Sequence, residues 1–284
     1  MIAFFGMGLL GSGFVRASLR RGEAVQVWNR TAAKARALEV DGAKVFEEPA
    51  EAARGASQIH LALSDDAAVD EVLERARPGF APGVVLVDHT TTSPTGTRER
   101  AARWAERGVE FQHAPVFMGP QNALEGTGIM LASGDAARVE RLRPALAAMT
   151  GKLVYLGPGA ERAASFKLFG NLFLMFMTAG VAEVLTLAKA LDVQPEDAAT
   201  IFDIFNPAGT IGVRAKRMVF GDFATPSWEL AMARKDARLM LEEANRGEVA
   251  LPMLPAIAAV MDAYIARGHG NDDWTVIGKD AITR

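Results

Sequence analysis

Lys167 and Asn171 form a pair of side chains that could move a proton. They lie in "SFKLFGNLFLMFMTAGVAEVL", four residues apart, a spacing that places both on one face of a helix. A lysine among apolar side chains loses solvation, which lowers the pKa of its ammonium toward the range where it can exchange a proton. Hydride transfer needs such a group, because alcohol oxidation requires a base and carbonyl reduction an acid. A lysine that extends its amine to solvent is the alternative.

A glycine-rich stretch near the N-terminus predicts a dinucleotide site. Residues 6–11, "GMGLLG", follow an apolar run typical of a strand and precede helix-forming sequence, the context that a dinucleotide fingerprint requires. Gly6 would permit a tight turn, Gly8 the approach of a pyrophosphate, and Gly11 close packing of helix and strand. The phosphates would lie at the helix N-terminus, where free N–H groups and the helix dipole favour anions. A purely structural tight turn is the alternative.

Residues at the end of the second predicted strand favour NADP over NAD. An NAD site usually has an acidic residue there, about 20 residues after the glycines, whereas an arginine suits the 2′-phosphate of NADP. Here the chain reads Asn29-Arg30-Thr31, with Lys34 one helical turn later. The alternative is that Asn29 and Thr31 cap the next helix and that Arg30 is only solvated.

Strand-like and helix-like segments must position these residues, and they alternate up to about residue 157. This alternation predicts a mostly parallel sheet covered on both faces. After the loop "LGPGAER" the pattern is helical, so we predict domains at residues 1–162 and 163–284. The predicted strands are Ile2–Phe5, Ala24–Trp28, Gln58–Leu63, Val84–Val87, Glu110–His113, Gly128–Ala132 and Leu153–Leu156.

Composition narrows the function classes. The 284 residues include no cysteine, which excludes disulfides and thiolate metal sites, and four histidines without ligand spacing, so we expect no metal. The formal charge of -3 gives no basic footprint for nucleic acid. The apolar run Leu168–Ala182 has 15 residues, fewer than the roughly 20 that span a bilayer, and predicts a buried helix of a soluble protein. We expect a cytoplasmic protein with a small-molecule substrate and no membrane partner.

Six stretches together resemble the β-hydroxyacid dehydrogenase family, the group of 3-hydroxyisobutyrate dehydrogenase and of glyoxylate and succinic semialdehyde reductases. They are "FFGMGLLGSG", "VWNRTAAK", "DHTTTSP", "HAPVFMG...EGTGIMLASG", "KLFGN" and "RKDARLML", in family order. The resemblance implies an α/β fold with an N-terminal Rossmann domain and a C-terminal all-helical domain, joined by a long helix. It also implies a homodimer or homotetramer formed through the helical domain. The implied enzyme is an NAD(P)-dependent dehydrogenase or reductase that transfers a hydride between NADP, or NAD, and a hydroxy acid or its carbonyl counterpart.

The resemblance further implies roles for individual residues. Lys167 takes the place of the catalytic general acid/base, and Asn171 that of the asparagine that helps to hold the substrate oxygen. Lys235, whose segment alone is typical of a solvated helix face, takes the place of a lysine that reaches toward the cofactor. The expected cofactor-binding residues are Gly6, Met7, Gly8, Leu9, Leu10, Gly11, Asn29, Arg30, Thr31, Lys34, Leu63, Ser64, Thr90, Thr91 and Lys235.

One expected substrate loop departs from the family. The family typically has Asp-Ala-Pro-Val-Ser-Gly-Gly, whereas residues 113–119 read His-Ala-Pro-Val-Phe-Met-Gly. Phe117 cannot hydrogen bond a carboxylate and Met118 narrows the space before Gly119, so we expect a more apolar substrate site. The alternative is a remodelled loop in which backbone amides or His113 hold the anion.

Two other functions remain open at this point. One is an imine reductase-like enzyme with an apolar pocket, and the other is a non-catalytic NADP-binding module. Lys167 argues against the first, because imine reductases typically lack this lysine. The pairing of Lys167 with Asn171 argues against the second.

Overall fold

The computed structural model describes residues 1–282 and contains two compact units, an N-terminal unit, Met1–Leu172, and a C-terminal unit that begins at Phe173. The strands of the N-terminal unit are β1 (Ile2–Phe5), β2 (Val25–Trp28), β3 (Lys44–Val45), β4 (Gln58–Leu61), β5 (Val85–Asp88), β6 (Glu110–His113), β7 (Val116–Phe117), β8 (Ile129–Ala132) and β9 (Lys152–Tyr155). Its helices are α1 (Leu9–Arg20), α2 (Ala32–Arg36), α3 (Pro49–Ala53), α4 (Asp66–Ala76), α5 (Pro94–Glu106), α6 (Pro120–Glu125) and α7 (Ala136–Ala147). The long helix α8 (Arg162–Ala190) continues into the C-terminal unit.

Six strands form a wholly parallel sheet in the order β3-β2-β1-β4-β5-β6. Successive side chains of a strand point to opposite faces, and both faces of β1 are buried. Phe4 stacks on His60 with ring centroids 4.6 Å apart, and Phe5 meets Trp28 edge-on at 6.1 Å on the other face. The predicted mostly parallel sheet with two covered faces is confirmed.

The strand order reverses between β1 and β4, which is where open α/β sheets bind ligands, beyond the carboxyl ends of the strands. Each predicted strand lies within two residues of an observed one. The two-residue strands β3 and β7 were not predicted, because a pair of residues carries no periodic pattern. Strand β7 pairs antiparallel with β8, and β8 pairs parallel with β9, in a second, three-stranded sheet.

The C-terminal unit is helical. Its helices after α8 are α9 (Pro195–Ala199), α10 (Ile201–Ile204), α11 (Ile211–Phe220), α12 (Leu230–Arg246) and α13 (Leu254–Tyr264). Its core includes Leu230, Met261 and Val276. The carboxylate of Asp273 accepts hydrogen bonds from the Ser227 backbone N–H at 2.8 Å and from the Thr275 hydroxyl at 2.6 Å, which fixes the turn after α13.

Helix α8 differs from the expectation of a buried helix. Phe169 is 62% exposed and Met175 67% exposed in the single chain, and none of the most apolar 18-residue window is buried. By length and composition alone this helix could cross a membrane, a test that core helices of soluble proteins also pass. The prediction of a buried helix is therefore wrong for the chain by itself, because an apolar sequence does not reveal what covers it. The compact units part at Leu172, inside α8, and the domain boundary at residues 162/163 stays a prediction.

Candidate active site

The glycine loop joins β1 to α1 at the point where the strand order reverses. Gly6 has a φ of +98°, a left-handed conformation that favours glycine, and a Cβ there would lie 2.3 Å from the carbonyl oxygen of Ala62. A Cβ on Gly11 would lie 1.9 Å from the carbonyl oxygen of Gly6, so α1 packs directly on the loop. A Cβ on Gly8 would meet nothing within 4 Å. The backbone at Gly8 therefore faces open space in front of the N-terminus of α1, where a phosphate fits.

Three cavities meet at Gly8. One of about 320 Å³ extends toward Arg30 and Lys34, one of about 300 Å³ extends toward Thr90 and Thr91, and one of about 430 Å³ lies between α1 and α6. The first two also share the turn after β4, so they form one groove along the carboxyl ends of the strands, called here the nucleotide groove. The three cavities are lined by every expected cofactor residue of the N-terminal unit: Gly6, Met7, Gly8, Leu9, Leu10, Gly11, Asn29, Arg30, Thr31, Lys34, Leu63, Ser64, Thr90 and Thr91.

Asn29 ties the end of β2 to the glycine loop. Its Oδ1 accepts a hydrogen bond from the Met7 N–H at 2.8 Å, and its Nδ2 donates to the Thr31 carbonyl at 2.8 Å. Thr31 occupies the N-cap position of α2, but its side chain makes no capping bond. The alternative that these two side chains only cap a helix therefore does not hold. Arg30 and Lys34 are exposed at the edge of the groove, where their charges are available to an anion.

Thr90 and Thr91 follow β5 and have different environments. Thr90 is buried; its Oγ1 accepts from the Leu63 N–H at 3.0 Å, and its own N–H donates to Asp88 Oδ1 at 2.9 Å. Burial raises the pKa of the Asp88 carboxyl. Thr91 is exposed and lines the groove. Thr90 thus fixes the turn, which leaves the Thr91 hydroxyl free to meet a ligand.

Three of the four histidines lie in the core behind the groove. His60 Nδ1 lies 3.0 Å from His89 Nε2, and His89 Nδ1 lies 2.8 Å from the carbonyl oxygen of Ala114. A carbonyl oxygen only accepts hydrogen bonds, so we assign the proton of His89 to Nδ1. His89 Nε2 is then an acceptor, which places the proton of His60 on its Nδ1. Burial lowers the pKa of His60, His89 and His113, that of His89 to about 4. All three are neutral at pH 7, and no metal-binding group of three occurs within residues 1–282.

Lys167 and Asn171 lie half-buried on successive turns of α8. Lys167 Nζ lies 4.3 Å from the ring centroid of Phe117. Burial lowers the pKa of the Lys167 ammonium. The structure thus brings together the expected catalytic lysine and the residue at which the substrate loop departs from the family.

The loop after β7 is tied internally. The Gly119 N–H donates to Asn122 Oδ1 at 2.9 Å, and Asn122 Nδ2 donates to Thr127 Oγ1 at 2.9 Å. Met118 packs against the core beside Gly128. Asn122 was not predicted; its side chain, three residues after the helix-starting glycine, makes one of the two bonds of a capping box, and Gly119 has no side chain to make the other.

Lys235 lies on α12 in the C-terminal unit. It is partly exposed, and its Nζ lies 2.5 Å from Asp236 Oδ1. Its role toward the cofactor stays a prediction.

Two family models match most of the chain. Residues 1–157 match the NAD binding domain of 6-phosphogluconate dehydrogenase, and residues 162–279 match the NAD-binding domain of NADP-dependent 3-hydroxyisobutyrate dehydrogenase. The chain belongs to the β-hydroxyacid dehydrogenase family. It is therefore an NAD(P)-dependent oxidoreductase, and the expected family, enzyme class and Rossmann fold are confirmed. The expected cofactor, NADP with NAD as the alternative, agrees with both family descriptions.

Individual relatives differ in what their names describe. The 3-sulfolactaldehyde reductase of Escherichia coli (strain K12) is 30% identical over 282 residues, 97% of this chain and 94% of that protein. The human cytokine-like nuclear factor N-PAC is 30% identical over 97% of this chain, which spans 50% of that protein. The structure of the Streptomyces aurantiacus imine reductase has a TM-score of 0.89 and 26% identity, covering 100% of this chain and 99% of that one.

Proposed function

We propose that the protein reduces a carbonyl compound, or oxidises the corresponding alcohol or hydroxy acid, with NADP(H), and that Lys167 is the general acid/base. The observation that carries this proposal is the half-buried amine of Lys167 one helical turn from Asn171. The bound nicotinamide supplies or accepts the hydride. In reduction the Lys167 ammonium donates a proton to the substrate oxygen, and in oxidation the neutral amine accepts the hydroxyl proton. The Asn171 amide orients that oxygen by a hydrogen bond.

The nucleotide groove fits NADP. The open space at Gly8 and the N-terminus of α1 suit the pyrophosphate. The guanidinium of Arg30 and the ammonium of Lys34 supply positive charge for the 2′-phosphate. The exposed hydroxyl of Thr91 suits the nicotinamide ribose. We assign these residues to the cofactor, and Lys235 to a contact that only a cofactor-bound structure can test.

We infer that carbonyl compounds without a carboxylate are better substrates than small hydroxy acids and their aldehydes. Phe117 offers no hydrogen bond, and the Gly119 N–H already donates to Asn122. A carboxylate placed against the Phe117 ring would lose water and gain no hydrogen bond from that side chain or from the Gly119 N–H, which is unfavourable. The same apolar ring, together with the likeness to an imine reductase structure, makes a cyclic imine the second candidate substrate.

We also infer a cytoplasmic homodimer or homotetramer formed through the helical domain, residues 163–284. Exposed apolar side chains along α8, such as Phe169 and Met175, support this inference, because a contiguous apolar patch on a soluble protein marks an interaction site. Light scattering after size exclusion tests it: a detergent-free monomer would contradict the assembly, and extraction only with detergent would favour a membrane partner instead.

The experiment that tests the function is a substrate panel assayed with NADPH and with NADH. It contains aldehydes with a carboxylate, including glyoxylate and succinic semialdehyde, uncharged aldehydes of similar length, and cyclic imines. We expect the uncharged aldehydes to have the highest kcat/KM with NADPH. A tenfold preference for the carboxylated aldehydes would contradict the apolar site. Turnover of imines alone would favour an imine reductase, and NADPH binding without turnover of any compound would favour a non-catalytic module.

A further inference from the structure

The ring of Phe117 is in close contact with the backbone of α8. A Cβ built on Gly170 would lie 2.3 Å from Cζ and 2.5 Å from Cε1 of this ring. Real side chains do not approach so closely, so the ring occupies the space that any other residue at position 170 would need. The contact therefore requires both partners: an aromatic ring at 117 and a glycine at 170.

The same ring also contacts the amine of Lys167. Nζ lies 4.3 Å from the ring centroid, within the roughly 6 Å over which a cation is attracted to an aromatic face. Burial lowers the pKa of this ammonium. Strand β7 and the loop 117–119 carry no titratable side chain, and the charged Arg162, earlier on α8, lies over Phe166 instead. Among the described residues, the ion pairs do not include Lys167, so the ring is the partner that can favour its charged form.

We propose that Phe117 is a positioning residue for Lys167: its aromatic face holds the amine in place as an ammonium, and Gly170 admits the ring to that position. The proposal rests on the proposed function, in which Lys167 is the general acid/base. The attraction between the ammonium and the ring opposes the cost of burying the charge. The amine therefore enters the reaction carrying its proton, which is the form that carbonyl reduction needs.

The test is the pH dependence of kcat for carbonyl reduction in matched variants. Phe117→Leu keeps an apolar side chain but removes the aromatic face beside Lys167. Phe166→Leu is the matched control, because it removes a neighbouring aromatic ring that lies over Arg162 instead. We expect the high-pH limb of the profile, where kcat falls as the acid loses its proton, to move down by about 0.5 to 1.5 pH units in Phe117→Leu and to stay in place in Phe166→Leu. No movement in Phe117→Leu, or equal movement in both variants, would overturn the proposal.

Gly170→Ala provides a second, independent variant. Alanine favours a helix over glycine by about 1 kcal/mol, so a folding defect in α8 is not expected. The added methyl group must displace the ring of Phe117, so the high-pH limb should move down as in Phe117→Leu although Phe117 is still present. An unmoved limb would count against the role of Gly170 and of the ring position.

Lys167→Ala separates failure of this inference from failure of the proposed function. If that variant keeps normal turnover and the same high-pH limb, the limb does not belong to Lys167, and the proposed function is wrong. If it loses turnover while Phe117→Leu leaves the limb in place, Lys167 is the acid and Phe117 does not position it. NADPH binding, followed by fluorescence, should be unchanged in all these variants.

Discussion

The nucleotide groove and the loop that carries Phe117 lie in the same compact unit, but different parts of the chain shape them. The shape of the groove is set by the backbone: Gly6 has a left-handed conformation, and Gly11 allows α1 to pack against it. The shape of the loop that carries Phe117 is set by side chains: Phe117 fills the space over Gly170, and Asn122 accepts a hydrogen bond from the Gly119 N–H. In the function proposed here, cofactor binding therefore depends on the backbone of the glycine loop, whereas substrate choice depends on the side chains around Phe117.

The largest expected effect tests whether proton transfer can be lost while cofactor binding in the groove is kept. Lys167→Ala removes the proposed proton donor, which typically costs 10²- to 10⁴-fold in rate. We expect kcat to fall by that factor while the Kd of NADPH, from fluorescence titration, stays the same. Asn171→Ala, one turn away, serves as the comparison and should cost less, because it orients the substrate but carries no proton. Near-normal kcat in Lys167→Ala would rule out its role.

The pH dependence of the free energy of unfolding tests whether the histidines behind the groove are buried and neutral. An unfolded histidine titrates near pH 6.5, whereas His89 in the fold titrates at about 4. Between these values the unfolded chain binds more protons, so the free energy of unfolding falls as pH falls. For His89 alone the loss approaches about 3 kcal/mol, and His60 and His113 act in the same direction. Asp88, whose pKa burial raises, acts in the opposite direction and reduces the sum.

Urea unfolding at pH 7 and at pH 4.5 measures this loss. His89→Gln, which cannot take up a proton, should flatten the pH dependence although it is less stable at pH 7. A free energy of unfolding that does not change between these pH values would contradict the neutral, buried state of these rings.

The two regions also differ in how far the sequence predicts them. The groove follows from a glycine pattern and from residues at strand ends, since parallel strands bring their carboxyl ends to one edge of the sheet. Sequence spacing does not reveal that His60 on β4 lies beside His89, just after β5, so the histidines other than His113 enter the sequence analysis only as metal ligands. The bond from Gly119 to Asn122 and the fit of Phe117 to Gly170 depend on three-dimensional packing, which has no periodic pattern. The exposure of α8 in the single chain also depends on packing, which the apolar run Leu168–Ala182 does not reveal.

Restoring donors to the loop should change substrate choice without affecting the groove. The triple variant Phe117→Ser, Met118→Gly, Asn122→Ala adds a hydroxyl and frees the Gly119 N–H. Each hydrogen bond to a carboxylate is worth about 1.5 to 3 kcal/mol, so even one of the two new bonds should raise kcat/KM for succinic semialdehyde relative to an uncharged aldehyde by about 10- to 100-fold. The double variant Phe117→Ala, Met118→Gly is the control, since it opens the space at both positions, adds no hydroxyl and leaves the Gly119 N–H bonded to Asn122. An equal rise in that control would mean that space, and not hydrogen bonding, limits the natural protein.

Two residues of the glycine loop between β1 and α1, Gly8 and Gly11, should have different roles, one in cofactor binding and one in folding. Alanine at Gly11 places a Cβ 1.9 Å from a backbone oxygen, whereas at Gly8 it meets nothing within 4 Å. We expect Gly11→Ala to cost about 1 to 3 kcal/mol of stability, as overpacking does, and to lower Tm. Gly8→Ala should keep Tm but weaken NADPH binding, because the methyl group enters the space proposed for the pyrophosphate. Equal Tm values for the two variants would contradict these different roles.

The smallest expected effect concerns which dinucleotide the groove prefers. Arg30 is exposed, so its contact with a 2′-phosphate is partly screened by water, and we place its contribution at about 1.4 kcal/mol, a tenfold preference for NADPH over NADH. Arg30→Ala should remove most of that preference in kcat/KM and leave the order of carbonyl substrates unchanged, in contrast to the Phe117 variants. Arg36→Ala is the matched control, because this exposed arginine on α2 pairs with Glu47 at 2.9 Å instead of lining the groove. Equal kcat/KM for NADPH and NADH in the unmodified protein would contradict the assignment of Arg30, and a change in carbonyl preference on mutating it would mean that the two regions are not independent.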